Sequence, residues 1–206
     1  INKISRSVIT HKNKTALVVG RGPSVNVYKN IKFINSIDTI IKLKDCGENL
    51  KYIPKRTNII VDFAGEKIIR KLDTNQKVNV NCNFDEKWLH IDNASNIASI
   101  NLDKDTFIIN ENVVNKLCNE YDLCPFRDFI HKLPTTGLIA IIQAVYAYKN
   151  PIYITGFDKL MDPDSEYVYH NKNITKFAQY QTTYHDFYVE NKILKKFIDN
   201  GNVINI

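Results

Sequence analysis

Glycine and proline are scarce in this chain, seven and six among 206 residues, and they gather into no stretch rich in Pro, Gly or Ser. No flexible interdomain linker is therefore expected, and the length suits a single core. No apolar run approaches the roughly 20 residues that cross a bilayer. No basic segment leads into an apolar stretch of signal-peptide type. The chain starts at Ile1 and not at Met, so an anchor upstream stays open, while no membrane segment is read in these residues. Cysteine is limited to Cys46, Cys82, Cys118 and Cys124, without C-x-x-C spacing and without a histidine pattern that would hold zinc. A reducing compartment such as the cytoplasm is the simpler expectation. Internal repeats are absent. The charge is +6, but the longest basic runs are pairs set among acidic and apolar neighbours. Such scatter makes a solvated face, so nucleic acid is not expected as a partner, whereas an acidic small molecule suits the modest excess.

What is present is a run of short apolar segments alternating with amphipathic ones. Strands are expected at 16–19, 39–43, 58–63, 106–109, 152–155 and 203–206, most of them β-branched and without strict alternation. Continuous apolar strands belong to parallel sheets covered on both faces. Helices are expected at 24–34, 66–72, 111–121, 136–148 and 184–199. The alternation predicts an α/β fold, a single domain over 1–206 with an open parallel sheet and helices on both faces, Rossmann-like in layout. Residues 73–105, Asn-rich and holding the only tryptophan, Trp88, show no clear period.

Three segments carry the chemistry. The first, LVVGRGPS over 17–24, follows the first strand, where open α/β sheets place ligands. Gly20 and Gly22 permit a tight turn, Pro23 fixes it, and Ser24 is placed to cap a helix whose amides face a phosphate. A dinucleotide fingerprint would need a further glycine where Val25 stands, so NAD is disfavoured; an ordinary strand-to-helix turn has the same look. The second segment, PTTGLIA over 134–140, opens the most apolar helix of the chain. Thr135 or Thr136 caps it, and Gly137 leaves its start open to a carboxylate or ribose, although a capped core helix needs no ligand. The strand after it delivers Gly156 and Asp158 to the same edge, Asp158 serving either an acceptor hydroxyl or a loop cap.

The third segment is Thr183 to Glu190, TYHDFYVE. Thr183 with Asp186 approximates a capping box, which puts His185 in the first helical turn, where the dipole favours the neutral imidazole that a general base requires. A purely structural histidine fits that position too. Glu190 lies about 140° around the helix from His185 and is expected to brace the helix or a neighbouring loop. Before this segment, EYVYHN over 166–171 offers Tyr167, Tyr169 and His170 as hydrogen-bond donors to a departing phosphate, or simply forms a surface loop.

The order of ALVVGRGPS at 16–24, PTTGL at 134–138 running to YITGF at 153–157, His170, and HDFYVE at 185–190 resembles the large, small, third and very small sialylmotifs of the animal-type sialyltransferases. The glycine-proline-serine loop is also similar to that of the small bacterial sialyltransferases. The resemblance implies a metal-independent, inverting transfer from a CMP-sugar to a glycan hydroxyl, with no cofactor besides that co-substrate. By position, Gly20, Arg21, Gly22, Ser24, Lys44, Thr135, Thr136, Gly137, Tyr167 and Tyr169 would line the donor site. His170 would assist the leaving phosphate, His185 would be the base, and Asp158 and Glu190 would contact acceptor or support the site. No Asp-x-Asp motif is read in the sequence, and metal is not expected. Arg21 and Lys44 replace two asparagines of the family pattern, which leaves open a relative that binds nucleotide or glycan without turnover. The family's disulfide is missing, Ala16 and Lys149 standing at its two positions. Sialic acid or a related ulosonic acid is the implied sugar.

Overall fold

The computed structural model describes residues 11, 13–43, 50–64, 86–91, 106–109, 134–148, 151–165 and 185–206. Seven strands form one sheet: β1 Ala16–Val19, β2 Thr39–Leu43, β3 Ile59–Ala64, β4 Glu86–Ile91, β5 Thr106–Ile109, β6 Ile152–Thr155 and β7 Val203–Asn205. Their order is β5-β4-β3-β2-β1-β6-β7, and every neighbouring pair is parallel. From β1 the chain steps outward through β2 to β5, and β6 then pairs with the other side of β1. The order thus reverses between β1 and β6, and ligand crevices of open α/β sheets form beyond the carboxyl ends at such a switch point.

Side chains alternate across β1, and each face meets its own apolar layer. Ala16 and Val18 join Ile41, Val61 and Trp88 under α2 (Thr136–Ala147) and α4 (Phe187–Asp199). Leu17 and Val19 join Ile40 under a 3₁₀ turn (Pro23–Asn26) and α1 (Ile31–Ser36). A short helix, α3, spans Asp158–Met161. With both faces covered, the central strands are mostly apolar, and β1 reads as a continuous apolar run. α2 packs on β1, β2, β3 and β6 and buries nine of its twelve residues, so its sequence leaves almost no polar face. α4 buries Phe187, Ile193, Leu194 and Phe197, each worth about 1.5–3 kcal/mol of transfer free energy when fully removed from water.

The expected fold class stands, with local corrections. The helix expected at 24–34 is broken: after the 3₁₀ turn the chain restarts at Asn30, whose side chain accepts the Phe33 amide at 3.1 Å and caps α1 instead. An asparagine so used diverts the backbone from a continuous helix. The unreadable stretch 73–105 contains β4, which pairs with β3 through Val61↔Trp88 and with β5 through Trp88↔Phe107. Trp88 is fully buried there. The last helix begins at Phe187 and not at 184, and α3 was not expected. The helices expected at 66–72 and 111–121 lie outside the described residues, as do all four cysteines. Among the described residues no helix is long and apolar enough to cross a membrane.

Candidate active site

Beyond the carboxyl ends of β1 and β6 the two strand-end loops interlock. The Gly20 amide donates to Thr155 O and the Gly22 amide to Gly156 O, each at 2.7 Å. A Cβ on Gly20 would lie 2.2 Å from Gly156 O, while Gly156 itself has φ +78°, open to glycine and strained for other residues. In the structure these glycines let two backbones touch. Ser24 completes the interlock. Its amide donates to both oxygens of Asp158 at 3.2 Å, its hydroxyl donates to Asp158 Oδ2 at 2.9 Å, and that hydroxyl accepts the Gly156 amide at 3.0 Å. The residue at the N-cap position of the 3₁₀ turn is Gly22, with no side-chain cap, so Ser24 is a bridge to β6 and does not cap. Asp158 is held in this interlock, its carboxylate accepting the Ser24 amide and hydroxyl.

Phe157 joins this loop to the second segment. A Cβ on Gly20 would sit 3.2 Å from its ring, and one on Gly137 would sit 2.9 Å from it. The ring is thus wedged between the glycine loop and the start of α2. Sequence reading passed over Phe157; its signal was an aromatic directly after Gly156, in a chain where glycine is rare.

At the start of α2, Thr135 is the N-cap. Its Oγ1 accepts the Leu138 amide at 3.1 Å. Its own amide and hydroxyl donate to Glu190 Oε1 at 2.9 Å and Oε2 at 2.6 Å. The Thr135 side chain and N–H are therefore committed within the protein, Gly137 is buried against Phe157, and Thr136 is part-exposed. Glu190 is wholly buried. Burial pushes its carboxyl up to about 8, the Thr135 hydroxyl and amide oppose the rise, and the charge of Asp186 adds to it.

His185 stands just outside α4. The helix is capped by Asp186, whose carboxylate accepts the amides of Tyr188 and Val189 at 3.2 Å. The expected capping box therefore resolves differently: Asp186 is the cap itself, and His185 precedes it, half-buried, with its ring edge-on to Phe187 at 6.1 Å. Asn191 ties α4 to α3 by donating to Leu160 O at 2.6 Å and Met161 O at 2.9 Å. Lys159 donates to Pro163 O and Ser165 O, and Tyr188 donates its hydroxyl to Asp164.

Two Asp-x-Asp triplets do occur in the sequence, Asp103–Asp105 and Asp162–Asp164. The second is described: Asp162 Oδ1 accepts the Asp164 amide at 3.1 Å within the loop, and Asp164 accepts the Tyr188 hydroxyl from α4. Among the described residues no three His, Cys, Asp or Glu side chains gather as metal ligands. The structure brings together Gly20, Gly22, Ser24 and Asp158 in one cluster and Thr135 and Glu190 in another, with Arg21, Thr136, Gly137 and His185 adjoining them in the chain. Lys44, Tyr167, Tyr169 and His170 lie outside the described residues.

A protein-family model described as glycosyltransferase family 29 (sialyltransferase) matches residues 54–202. Among solved structures the chain is similar to the monofunctional alpha-2,3-sialyltransferase Cst-I from Campylobacter jejuni, with TM-score 0.65 and 16% identity over 98% of this chain and 79% of that one. It is similar also to the sialyltransferase CstII of Campylobacter jejuni in complex with the substrate analogue CMP-3FNeuAc, with TM-score 0.58 and 11% identity over 93% of this chain and 80% of that one. CstII in complex with a trisaccharide acceptor and CMP matches with TM-score 0.55 and 11% identity over 93% and 80% of the two chains. No curated protein sequence matches the chain.

Proposed function

Since this chain belongs to glycosyltransferase family 29, the sialyltransferase family, we propose that it moves an acidic sugar, sialic acid or a related ulosonic acid, from a CMP-linked donor to a glycan hydroxyl. His185 is the base in this reading. It takes the proton of the acceptor hydroxyl while that oxygen bonds to the anomeric carbon and the bond from that carbon to the CMP phosphate breaks, the electron pair leaving with CMP. Attack opposite the leaving group inverts the anomeric centre. His170, with Tyr167 and Tyr169, donates hydrogen bonds to the departing phosphate, and no metal or further cofactor takes part.

One observation carries the proposal: Glu190 bonds Thr135, so the helix that begins after His185 is tied to the cap of α2. In this reading the His185 segment and the start of α2 serve one site, as a transfer requires. Support for a cytidine donor comes from the CMP and CMP-3FNeuAc held by CstII. Gly20, Gly22 and Ser24 shape the floor of that site by holding the β1 and β6 loops together. Arg21 and Lys44, in place of two family asparagines, favour a second reading, a relative that binds donor without turnover.

CMP or CDP is expected to raise the melting temperature more than UDP, GDP or NAD, by a stability increment of about 2.7 kcal/mol when ligand is at 100 times its Kd. Equal shifts with every nucleotide would overturn the cytidine assignment. Sugar transfer is expected to persist in EDTA; activity lost to the chelator and restored by manganese would replace the metal-free reaction. CMP binding without any transfer would select the second reading.

A further inference from the structure

The ring of Phe157 lies between two glycines from distant parts of the chain and faces them with opposite edges. A Cβ on Gly20 would meet its Cδ2 at 3.2 Å, whereas a Cβ on Gly137 would meet its Cε1 at 2.9 Å and its Cδ1 at 3.5 Å. Gly20 follows β1, and Gly137 stands in the first turn of α2. A side chain at either place would crowd the ring, so both glycines permit a close approach.

The ring is also pinned from behind, because the backbone on each side of it is held. Before it, Gly156 donates its amide to Ser24 Oγ at 3.0 Å. After it, Asp158 accepts the Ser24 amide and hydroxyl. The Phe157 carbonyl accepts the amides of Leu160 and Met161, each at 2.9 Å, where α3 begins. The residue is 6% exposed, so its ring offers no platform to a ligand and is spent on contacts within the protein. A close-packed interior hardly compresses, so a ring held in this way fixes the separation of what it touches.

Resting on the transfer reaction proposed above, we propose that Phe157 is a positioning residue whose ring width sets the distance between the Gly20 loop and the start of α2, and with it the fit of the CMP-linked donor. In this reading Gly137 lacks a side chain to admit the ring, and the donor gains only through the spacing. Leucine is the replacement that separates these effects. It keeps two δ carbons but lacks the ε carbon nearest Gly137, so Phe157→Leu opens the gap on the α2 side. The methyl of Gly137→Ala, which crowds Cε1 in the wild type, then has room.

The test is a double-mutant cycle of Phe157→Leu, Gly137→Ala and the two combined, read by donor KM, acceptor KM, CMP Kd and melting temperature. Each single variant is expected to raise donor KM and CMP Kd on the order of tenfold, since a displacement of about 1 Å at a reaction site costs that much or more. Acceptor KM should stay near wild type. The combined variant should bring donor KM and CMP Kd back to within about threefold of wild type, because the pair is coupled, and should melt above Gly137→Ala. Wild-type donor KM in Phe157→Leu, even with a lowered melting temperature, would make the ring ordinary core packing and overturn the proposal. Simple addition of the single effects in the combined variant, the result if Gly137 touches the donor directly, would overturn it too. Should Gly137→Ala not fold, folding of the combined variant upholds the spacing and its failure overturns it. If the wild type neither transfers sugar nor binds CMP, the reaction proposed above fails by itself, and the spacing is decided by melting: a loss in Gly137→Ala that the combined variant recovers upholds it, and additive losses overturn it.

Discussion

His185→Ala is expected to lower kcat by about 10²-fold or more while the melting temperature and the CMP shift stay near wild type. The separation of effects follows from where the residue sits. It precedes the Asp186 cap and is only half-buried, and α4 is held by other groups: Asp186 on two amides, Glu190 on Thr135 and Asn191 on the α3 carbonyls. Removing the imidazole leaves all of these in place, so the loss falls on proton abstraction from the acceptor. Single-turnover transfer with saturating donor is the direct measurement. Transfer at the wild-type rate by the variant would reduce His185 to a structural residue ahead of a capped helix.

The second large effect is on the glycine loop. Gly20→Ala places a methyl 2.2 Å from Gly156 O and 2.7 Å from Gly156 C, backbone atoms that cannot swing aside as a side-chain tip can. Gly156 is already in the left-handed region at φ +78°, and the Phe157 ring closes the other side at 3.2 Å. Relief requires parting the β1 and β6 loops, breaking the amide bonds from Gly20 and Gly22. A cost of about 3 kcal/mol or more is expected, a fall in melting temperature of roughly 10 °C for a chain of this size, together with loss of the CMP shift. Gly201→Ala is the control: its φ is +71° but nothing lies within 4 Å of the added methyl, so only the conformational strain of about 1–2 kcal/mol remains, far from the site. Equal stability of Gly20→Ala and wild type would show that the loops are not locked together.

Which parts of the molecule could be read in advance follows from the range of the interactions involved. The largely apolar runs at Ala16–Val19, Thr39–Leu43 and Ile152–Thr155 are strands in the structure, because burial on both faces favours apolar residues at most positions, Thr39, Lys42 and Thr155 being buried polar exceptions. The start of α2 was equally legible, since Thr135 caps through a bond three residues away. Glu86–Ile91 was not legible. Its residues mix charge with apolar bulk, and it is a strand through its pairing with β3 and β5. The competition for the α4 cap went to Asp186 over Thr183, a choice between two adequate local signals that the folded helix makes.

By itself the sequence determined the α/β class, the most apolar helix and the residue types gathered at the sheet edge, because these follow from periodicity, chain stiffness and capping within a few residues. Only the tertiary structure decided what those residues bond to. Ser24 and Asp158 are 134 positions apart, and Thr135 and Glu190 are 55 apart; nothing local distinguishes a serine that caps from one that bridges, or a glutamate on a solvated face from one shut into the core. The sheet makes that distinction by setting β1 beside β6 and α2 beside α4, and it leaves each buried polar group to bond with whatever donor the fold puts within reach.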